Sequence, residues 1–133
     1  MHTLSPQKVG NDFDLVIFNQ TLEHLYDPLL AMRNLRSILK PGGFLFTSVP
    51  TLNIRHGEPF HFWGMTPMGL CAISKNAGFN IRELGYWGNQ IYLEKIFKNN
   101  SWPDIFEVTN KITDETRNDP THPVQTWILL QRD

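Results

Sequence analysis

The chain has 133 residues, of which 41% are hydrophobic and 19% are charged, and its formal net charge is −1. These values predict one folded domain and give no basis for binding nucleic acid or an anionic membrane through a basic patch. The single Cys71 excludes an intramolecular disulfide, and no apolar stretch reaches the roughly 20 residues that span a bilayer. We therefore expect a cytoplasmic protein with neither a nucleic-acid nor a membrane partner.

The first predicted element is a strand over residues 13–18, which follows an irregular lead-in over residues 1–12. The strand is apolar apart from Asp14, a pattern typical of a parallel strand that is buried on both faces. Polar residues follow at once, as is common where a strand of an open α/β sheet ends at a binding edge.

A helix and a second strand come next. Asp27 and Pro28 form a favourable helix start, because the carboxylate can cap free amides and the proline loses no hydrogen bond. The apolar stripe of this helix extends to Leu39, and residues 41–43 are predicted to end it. A strand over residues 44–49 follows.

A second helix and a third strand are predicted after a long loop over residues 51–65. Thr66 and Pro67 repeat the cap-and-proline start, and Gly78 is the predicted left-handed end of the helix. Residues 79–87 then have the pattern of a strand.

The insert over residues 88–124 has the weakest pattern in the chain. Residues 91–97 fit either a helix or a strand, residues 103–112 fit a helix, and residues 117–123 fit an exposed connection. A final strand is predicted over residues 125–130. Strands that alternate with helices predict a layered α/β domain with some parallel pairing.

Several motifs occur in an order and at separations that resemble the C-terminal half of class I S-adenosylmethionine-dependent methyltransferases. They are Phe13-Asp14, Leu22-Glu23-His24, Leu39-Lys40-Pro41-Gly42-Gly43, His61-Phe62-Trp63 and Ala77-Gly78-Phe79. The resemblance implies an α/β fold over residues 1–133, a single truncated domain with a partial Rossmann-like sheet and flanking helices. Its strands would correspond to strands four to seven of the family, the last one antiparallel. The family's glycine-rich first loop has no counterpart in this sequence.

The resemblance also implies a cofactor and a site. In the family, the methionine part of S-adenosylmethionine lies above the first and fourth strands. By position, the candidates are Asn19, Gln20, Thr21 and Leu22 for the cofactor, Glu23 and His24 for catalysis, and His56, His61 and Trp63 for a small-molecule acceptor. Because most of the donor site has no counterpart, we expect a methyltransferase that is inactive alone.

The same resemblance predicts a partner. Strand 13–18 is central in the family, whereas here it would lie at an edge, and an apolar unpaired edge recruits other strands. We expect a homodimer, or a complex with another chain, built across this edge.

Two patterns are compatible with metal ligation but do not require it. They are Gln20-x-x-Glu23-His24 and His56-x-Glu58-x-x-His61. In the first, a neutral amide stands where similar quinone-biosynthesis O-methyltransferases have a carboxylate. In the second, the histidines are five residues apart, whereas a helical zinc site has them four apart. We therefore expect no metal site, with Glu23 accepting from backbone amides and His24 packing at the rim of the sheet.

Two alternatives to a methyltransferase remain open. One is a non-catalytic, methyltransferase-like interaction subunit that uses the sheet edge for assembly. The other is a small metal-dependent hydrolase that uses His56, Glu58 and His61. Cofactor binding separates the first alternative from a methyltransferase, and metal analysis tests the second.

Overall fold

The computed structural model describes residues 1–103 and 117–133, which form a four-stranded mixed sheet with flanking helices. The strands are β1 (Phe13–Asn19), β2 (Leu39–Pro50), β3 (Asn80–Trp87) and β4 (Gln125–Gln131). The α-helices are α1 (Pro6–Val9), α2 (Pro28–Ile38), α3 (Pro67–Asn76) and α4 (Gln90–Asn99), and a short 3-10 helix spans Leu22–His24. None of the helices in these two described ranges is long and apolar enough to cross a membrane.

The sheet has the strand order β1-β2-β4-β3. β1 and β2 are parallel, and β4 lies between β2 and β3 and runs antiparallel to both. This topology confirms the predicted partial Rossmann-like sheet, including its antiparallel last strand. It also leaves β1 at one edge of the described sheet.

The boundary between α2 and β2 differs from the prediction. The sequence pattern extends the helix to residue 40, but α2 ends at Ile38 and strand pairing begins at Leu39. The register between the two strands shifts between Phe13 and Leu15 of β1, so the intervening residues of β2 bulge out of the ladder. Pro41, Gly42 and Gly43, which the sequence predicts to end the helix, lie in this bulge.

The lead-in over residues 1–12 is predicted to be irregular, but it contains one helical turn, α1. Pro6 stands in this turn, where proline loses no hydrogen bond. The carbonyls of Met1 and His2 each accept a hydrogen bond from the side-chain amide of Asn34, at 3.1 Å. The lead-in is therefore held against α2.

The described residues of the insert over residues 88–124 include one helix and one connecting segment. Residues 91–97, which fit either a helix or a strand by pattern, lie in α4, and Asn89 caps this helix. Residues 117–123 form a connection without helix or strand, as predicted. The helix predicted over residues 103–112 lies outside the described residues, except for residue 103.

The two faces of the sheet have different surroundings. On the covered face, against which α2 and α3 pack, the strand side chains are buried; they are Phe18, Leu45, Thr47, Val49, Thr126, Ile128 and Leu130. On the opposite face, which we call the open face, the large apolar side chains of β1, β2 and β4 are exposed or half-buried; they are Leu15, Ile17, Phe44, Phe46, Trp127 and Leu129. The main core therefore lies on one side of the sheet.

Candidate functional site

The carboxyl ends of β1 and β2 lie together at one edge of the sheet. Gln20 follows β1 directly and has a positive φ of 46°, which is uncommon outside glycine. Its backbone amide donates to the carbonyl of Ser48 at 2.9 Å, and its side-chain Nε2 donates to the Ser48 hydroxyl at 3.1 Å. These bonds fix the point at which the chain leaves β1 and enters the short helix Leu22–His24.

The four cofactor candidates do not share one environment. Asn19 and Gln20 are exposed, and Thr21 is half-buried, with its hydroxyl donating to the Asn19 carbonyl at 2.8 Å. The side chain of Leu22 is fully buried in the core, so only its backbone is available to a ligand. Their role in cofactor binding stays a prediction.

The loop over residues 51–65 folds back onto the short 3-10 helix. The carbonyl of Glu23 accepts a hydrogen bond from the amide of Phe62 at 2.7 Å. The indole of Trp63 donates to the carbonyl of Leu25 at 2.7 Å. The predicted catalytic segment and the predicted acceptor-binding loop are thus fixed against each other.

Three histidines from these two segments meet beside a buried carboxylate. The ring centroids of His24 and His56 are 5.0 Å apart, those of His56 and His61 are 4.3 Å apart, and those of His24 and His61 are 5.9 Å apart. The Nε2 atom of His24 lies 3.7 Å from Oε1 of Glu23. We call these four residues the Glu–His cluster, and they join the catalytic candidates to two of the three acceptor candidates.

Backbone contacts define which ring nitrogen of each of the three histidines carries the proton when the imidazole has only one. The Nδ1 atom of His24 lies 2.6 Å from the carbonyl of Phe60, and that of His56 lies 3.0 Å from the carbonyl of Ile54. Because a carbonyl only accepts, both Nδ1 atoms carry the proton and both Nε2 atoms keep a lone pair. His61 is reversed, because its Nδ1 accepts from the His56 amide at 3.2 Å and its proton is therefore on Nε2.

Glu23 is fully buried, and neither carboxylate oxygen accepts a hydrogen bond from the described residues. The expectation that this side chain accepts from nearby backbone amides is therefore wrong. Burial raises the pKa of the Glu23 carboxyl, and only part of that rise is offset by its own nearby amide, whose geometry is not that of a hydrogen bond, and by the neighbouring His24 and His56. Burial also lowers the pKa of His61, with a further contribution from the other two histidines. The surroundings thus disfavour uncompensated charge in the cluster.

Glu58 lies outside this arrangement. It is exposed and forms an ion pair with Arg55. The carboxylate that groups with His24 and His56 is Glu23 instead. A hydrolase site of His56, Glu58 and His61 would need Glu58 beside the two histidines, and the structure places Glu23 beside His56 instead.

An open cavity of about 420 Å³ adjoins the site at the same edge of the sheet. Its lining includes Gln20, Asn53, Trp87, Tyr92, Trp102 and Gln125. The indole of Trp102 donates to Oδ1 of Asn53 at 3.0 Å and lies edge-on to His56, with ring centroids 5.3 Å apart. These aromatic residues were not among the candidates from the sequence, because they come together through tertiary contacts: Tyr92 of α4 packs on Trp87 of β3, and Trp102 packs on the loop over residues 51–65.

Comparisons with solved structures define the class of fold. The chain is similar to the [4+2]-cyclase SpnF, with a TM-score of 0.59, 16% identity, and coverage of 92% of this chain and 51% of that chain. It is also similar to an S-adenosylmethionine-dependent methyltransferase from Mesorhizobium loti, with a TM-score of 0.56, 14% identity, and coverage of 92% and 63%. A phosphoethanolamine N-methyltransferase 2 of Haemonchus contortus in complex with S-adenosyl-L-methionine gives a TM-score of 0.57, 16% identity, and coverage of 92% and 34%. At these identities the likeness shows a Rossmann-like methyltransferase fold and no more.

The family is shown by a sequence match. A family model described as a methyltransferase domain matches residues 2–84, which is more than half of the chain. The chain therefore belongs to the methyltransferase domain family. It spans less than two thirds of the length of the similar structures named above. No curated protein matches the chain.

Proposed function

We propose that the chain provides the acceptor side and part of the donor side of an S-adenosylmethionine-dependent methyltransferase. The observation that carries this proposal is the convergence of Glu23, His24, His56 and His61 at the carboxyl end of β1. In an open α/β sheet, ligands bind outside the carboxyl ends of the strands. Membership of the methyltransferase domain family supports methyl transfer as the reaction.

The donor side of the proposed site consists of polar groups at the end of β1. Asn19 and Gln20 are exposed there, and Thr21 adjoins them. They contact a ligand from one side only, because β1 lies at the edge of the described sheet. We therefore propose that the chain alone binds the cofactor weakly and is inactive until another strand completes the far side of β1.

The acceptor is proposed to be a small molecule that enters the aromatic cavity. A volume of about 420 Å³ is in the range of small-molecule sites, and Trp87, Tyr92 and Trp102 supply apolar walls. Methyl transfer from a sulfonium depends chiefly on holding donor and acceptor in line. A base is needed only for an acceptor that must lose a proton, and Glu23 and His24 are the candidates for that step.

A second proposal is a non-catalytic interaction subunit, and the open face favours it. Leu15 and Ile17 are 52% and 66% exposed, and they continue into half-buried aromatic residues on β2 and β4. Contiguous exposed apolar surface marks sites of protein association. In this alternative the sheet mediates assembly, and the carboxyl end of β1 binds no cofactor.

Titration of the isotopically labelled chain with S-adenosylhomocysteine separates the two proposals. A methyltransferase site predicts saturable changes in the amide resonances of Asn19, Gln20 and Thr21. A Gln20→Ala variant should reduce them, since it removes the side-chain bond to Ser48. Asn80→Ala, at the start of β3, is the matched control and should leave them unchanged. Resonances at residues 19–21 that do not respond at saturating ligand would contradict the methyltransferase proposal and favour the interaction subunit.

A further inference from the structure

We propose that Glu23, His24 and His56 form a binding site for a divalent transition metal of the zinc class. One possible ligand atom from each of the three residues lies within 4.8 Å of the others. Within this group, Nε2 of His24 lies 3.7 Å from Oε1 of Glu23. The inference concerns metal binding itself and does not depend on methyl transfer.

The buried carboxylate is the first independent support. Glu23 is fully buried, and neither oxygen has a hydrogen-bond partner among the described residues. A buried carboxylate is normally paired, hydrogen-bonded or coordinated to a metal, because removing it from water is otherwise unfavourable. A cation between Glu23 and the two histidines would satisfy both oxygens and compensate the charge.

The hydrogen bonds of the histidines are the second support. His24 and His56 each direct Nδ1 to a backbone carbonyl, which leaves Nε2 as the available ligand atom. A metal-ligating histidine usually donates its other ring N–H to a carbonyl or carboxylate, which fixes the tautomer and the ring orientation. His61 has its proton on Nε2 and accepts from the amide of His56, so it is a positioning residue in this site.

The ligand types indicate the metal. Two imidazoles and one carboxylate favour zinc and similar transition ions over magnesium or calcium, which prefer oxygen ligands. Bonds of about 2.0–2.1 Å in a tetrahedral site put ligand atoms roughly 3.3 Å apart, so the His24–Glu23 pair requires only a small inward movement. His56 lies in a loop, which permits the larger adjustment.

Three protein ligands leave a fourth coordination position for water or for an oxygen of a bound molecule. The site lies between the carboxyl end of β1 and the loop over residues 51–65. If the proposed methyl transfer is correct, a metal there would ease the loss of a proton from an acceptor hydroxyl. Binding of the metal is measured without cofactor or acceptor, so failure of that function leaves the metal test intact.

The test is calorimetric titration of the metal-free full chain with zinc, together with the visible absorption spectrum of the cobalt-loaded chain. We expect one equivalent of zinc to bind and cobalt to give the intense bands of a tetrahedral site. Glu23→Gln and His56→Ala should each lower the affinity at least about tenfold. Glu23→Gln preserves the shape of a buried side chain, and His56→Ala changes a loop residue, so the fold should persist in at least one variant.

His122→Ala is the matched control, because His122 is an exposed histidine that pairs with Asp119 outside the cluster. Its zinc affinity should equal that of the unchanged chain. The proposal is overturned if the unchanged chain binds no stoichiometric zinc, if His56→Ala retains full affinity, or if the cobalt spectrum is octahedral. Loss of binding in His122→Ala alone would assign the metal to the surface pair instead.

Discussion

The covered and open faces of the same sheet have similar apolar side chains but different surroundings. On the covered face, Leu45 and Leu130 are fully buried beneath α2 and α3. On the open face, Leu15 and Ile17 are 52% and 66% exposed. The strands therefore have the apolar residues of a sheet that is buried on both faces, although the described residues bury only one of them.

The largest expected effect contrasts one residue from each face. Leu45→Ala should lower the free energy of unfolding by about 2–5 kcal/mol, because it leaves a cavity in the core. Ile17→Ala should change it by only about 0.5 kcal/mol, because most of this side chain is already in water. Urea unfolding, at a protein concentration at which the chain is monomeric, measures the free energy of unfolding of both variants. Equal losses would show that the two faces are equally buried in solution.

The second test addresses association through the edge formed by β1. We expect a homodimer at micromolar concentration, because β1 is apolar and, among the described strands, has a neighbour on one side only. Ile17→Lys should reduce the mass measured by light scattering to that of a monomer. Met68→Lys is the control, since Met68 is 73% exposed on α3, away from this edge. A monomeric unchanged chain would refute the expected homodimer.

A third test contrasts the apolar core with the buried carboxyl of Glu23. Its pKa is raised above the ordinary 4.5, so the folded state holds this proton more strongly than the unfolded state does. The stability associated with this group is present below the unfolded pKa and is lost as the pH rises through the raised value. A chelator is present so that no metal compensates the carboxylate. At acidic pH, Glu23→Gln should then change the free energy of unfolding little, because both side chains are neutral. Above the raised pKa it should increase the free energy of unfolding by roughly 1–3 kcal/mol, because glutamine stays neutral where the buried glutamate becomes charged.

Thermal unfolding of the unchanged chain and of the Glu23→Gln variant across the pH range measures the difference in their stability. Glu83→Gln is a suitable control, because Glu83 is exposed on β3. A stability gain from Glu23→Gln that is independent of pH would show that titration of the carboxyl is not the cause.

The smallest expected effect concerns the helix that covers one face. Oδ1 of Asp27 accepts a hydrogen bond from the amide of Leu30 at 2.9 Å and caps α2. Asp27→Ala should cost about 1 kcal/mol of stability, and Asp27→Ser should recover most of it because serine can also cap. Denaturant unfolding checks both variants. An Asp27→Ser chain as unstable as Asp27→Ala would show that the cap is not the source of the effect.

The order of helices and strands was predictable from local chemistry. Asp27-Pro28 and Thr66-Pro67 start α2 and α3 as expected, because each pairs a capping side chain with a residue that needs no amide partner. The end of α2 was not predictable in the same way. Its position depends on pairing with β1, where a bulge absorbs residues that look like a helix stop.

The candidate site was predictable as a set of residues but not as an arrangement. Glu23 and His24 are more than thirty positions from His56, so no spacing rule connects them. Each loop hydrogen bond that brings them together has a backbone group on at least one side, as in Phe62 N–H to Glu23 and the Trp63 indole to Leu25, and such pairings carry no sequence signal. For the same reason, the sequence led us to expect Glu23 to accept from backbone amides and left open a grouping of Glu58 with the histidines, and the structure shows neither arrangement.

The position of β4 has a consequence for how the chain folds. This strand follows the other described strands in the sequence, and within the described sheet it alone joins β2 to β3. During synthesis β1 and β2 can pair early, whereas β3 gains the partner strand that the described sheet gives it only when residues 125–131 emerge. Such long-range pairing slows folding and prolongs the exposure of unpaired edges. A ribosome that pauses before β4 would therefore hold a half-assembled sheet that is prone to aggregate.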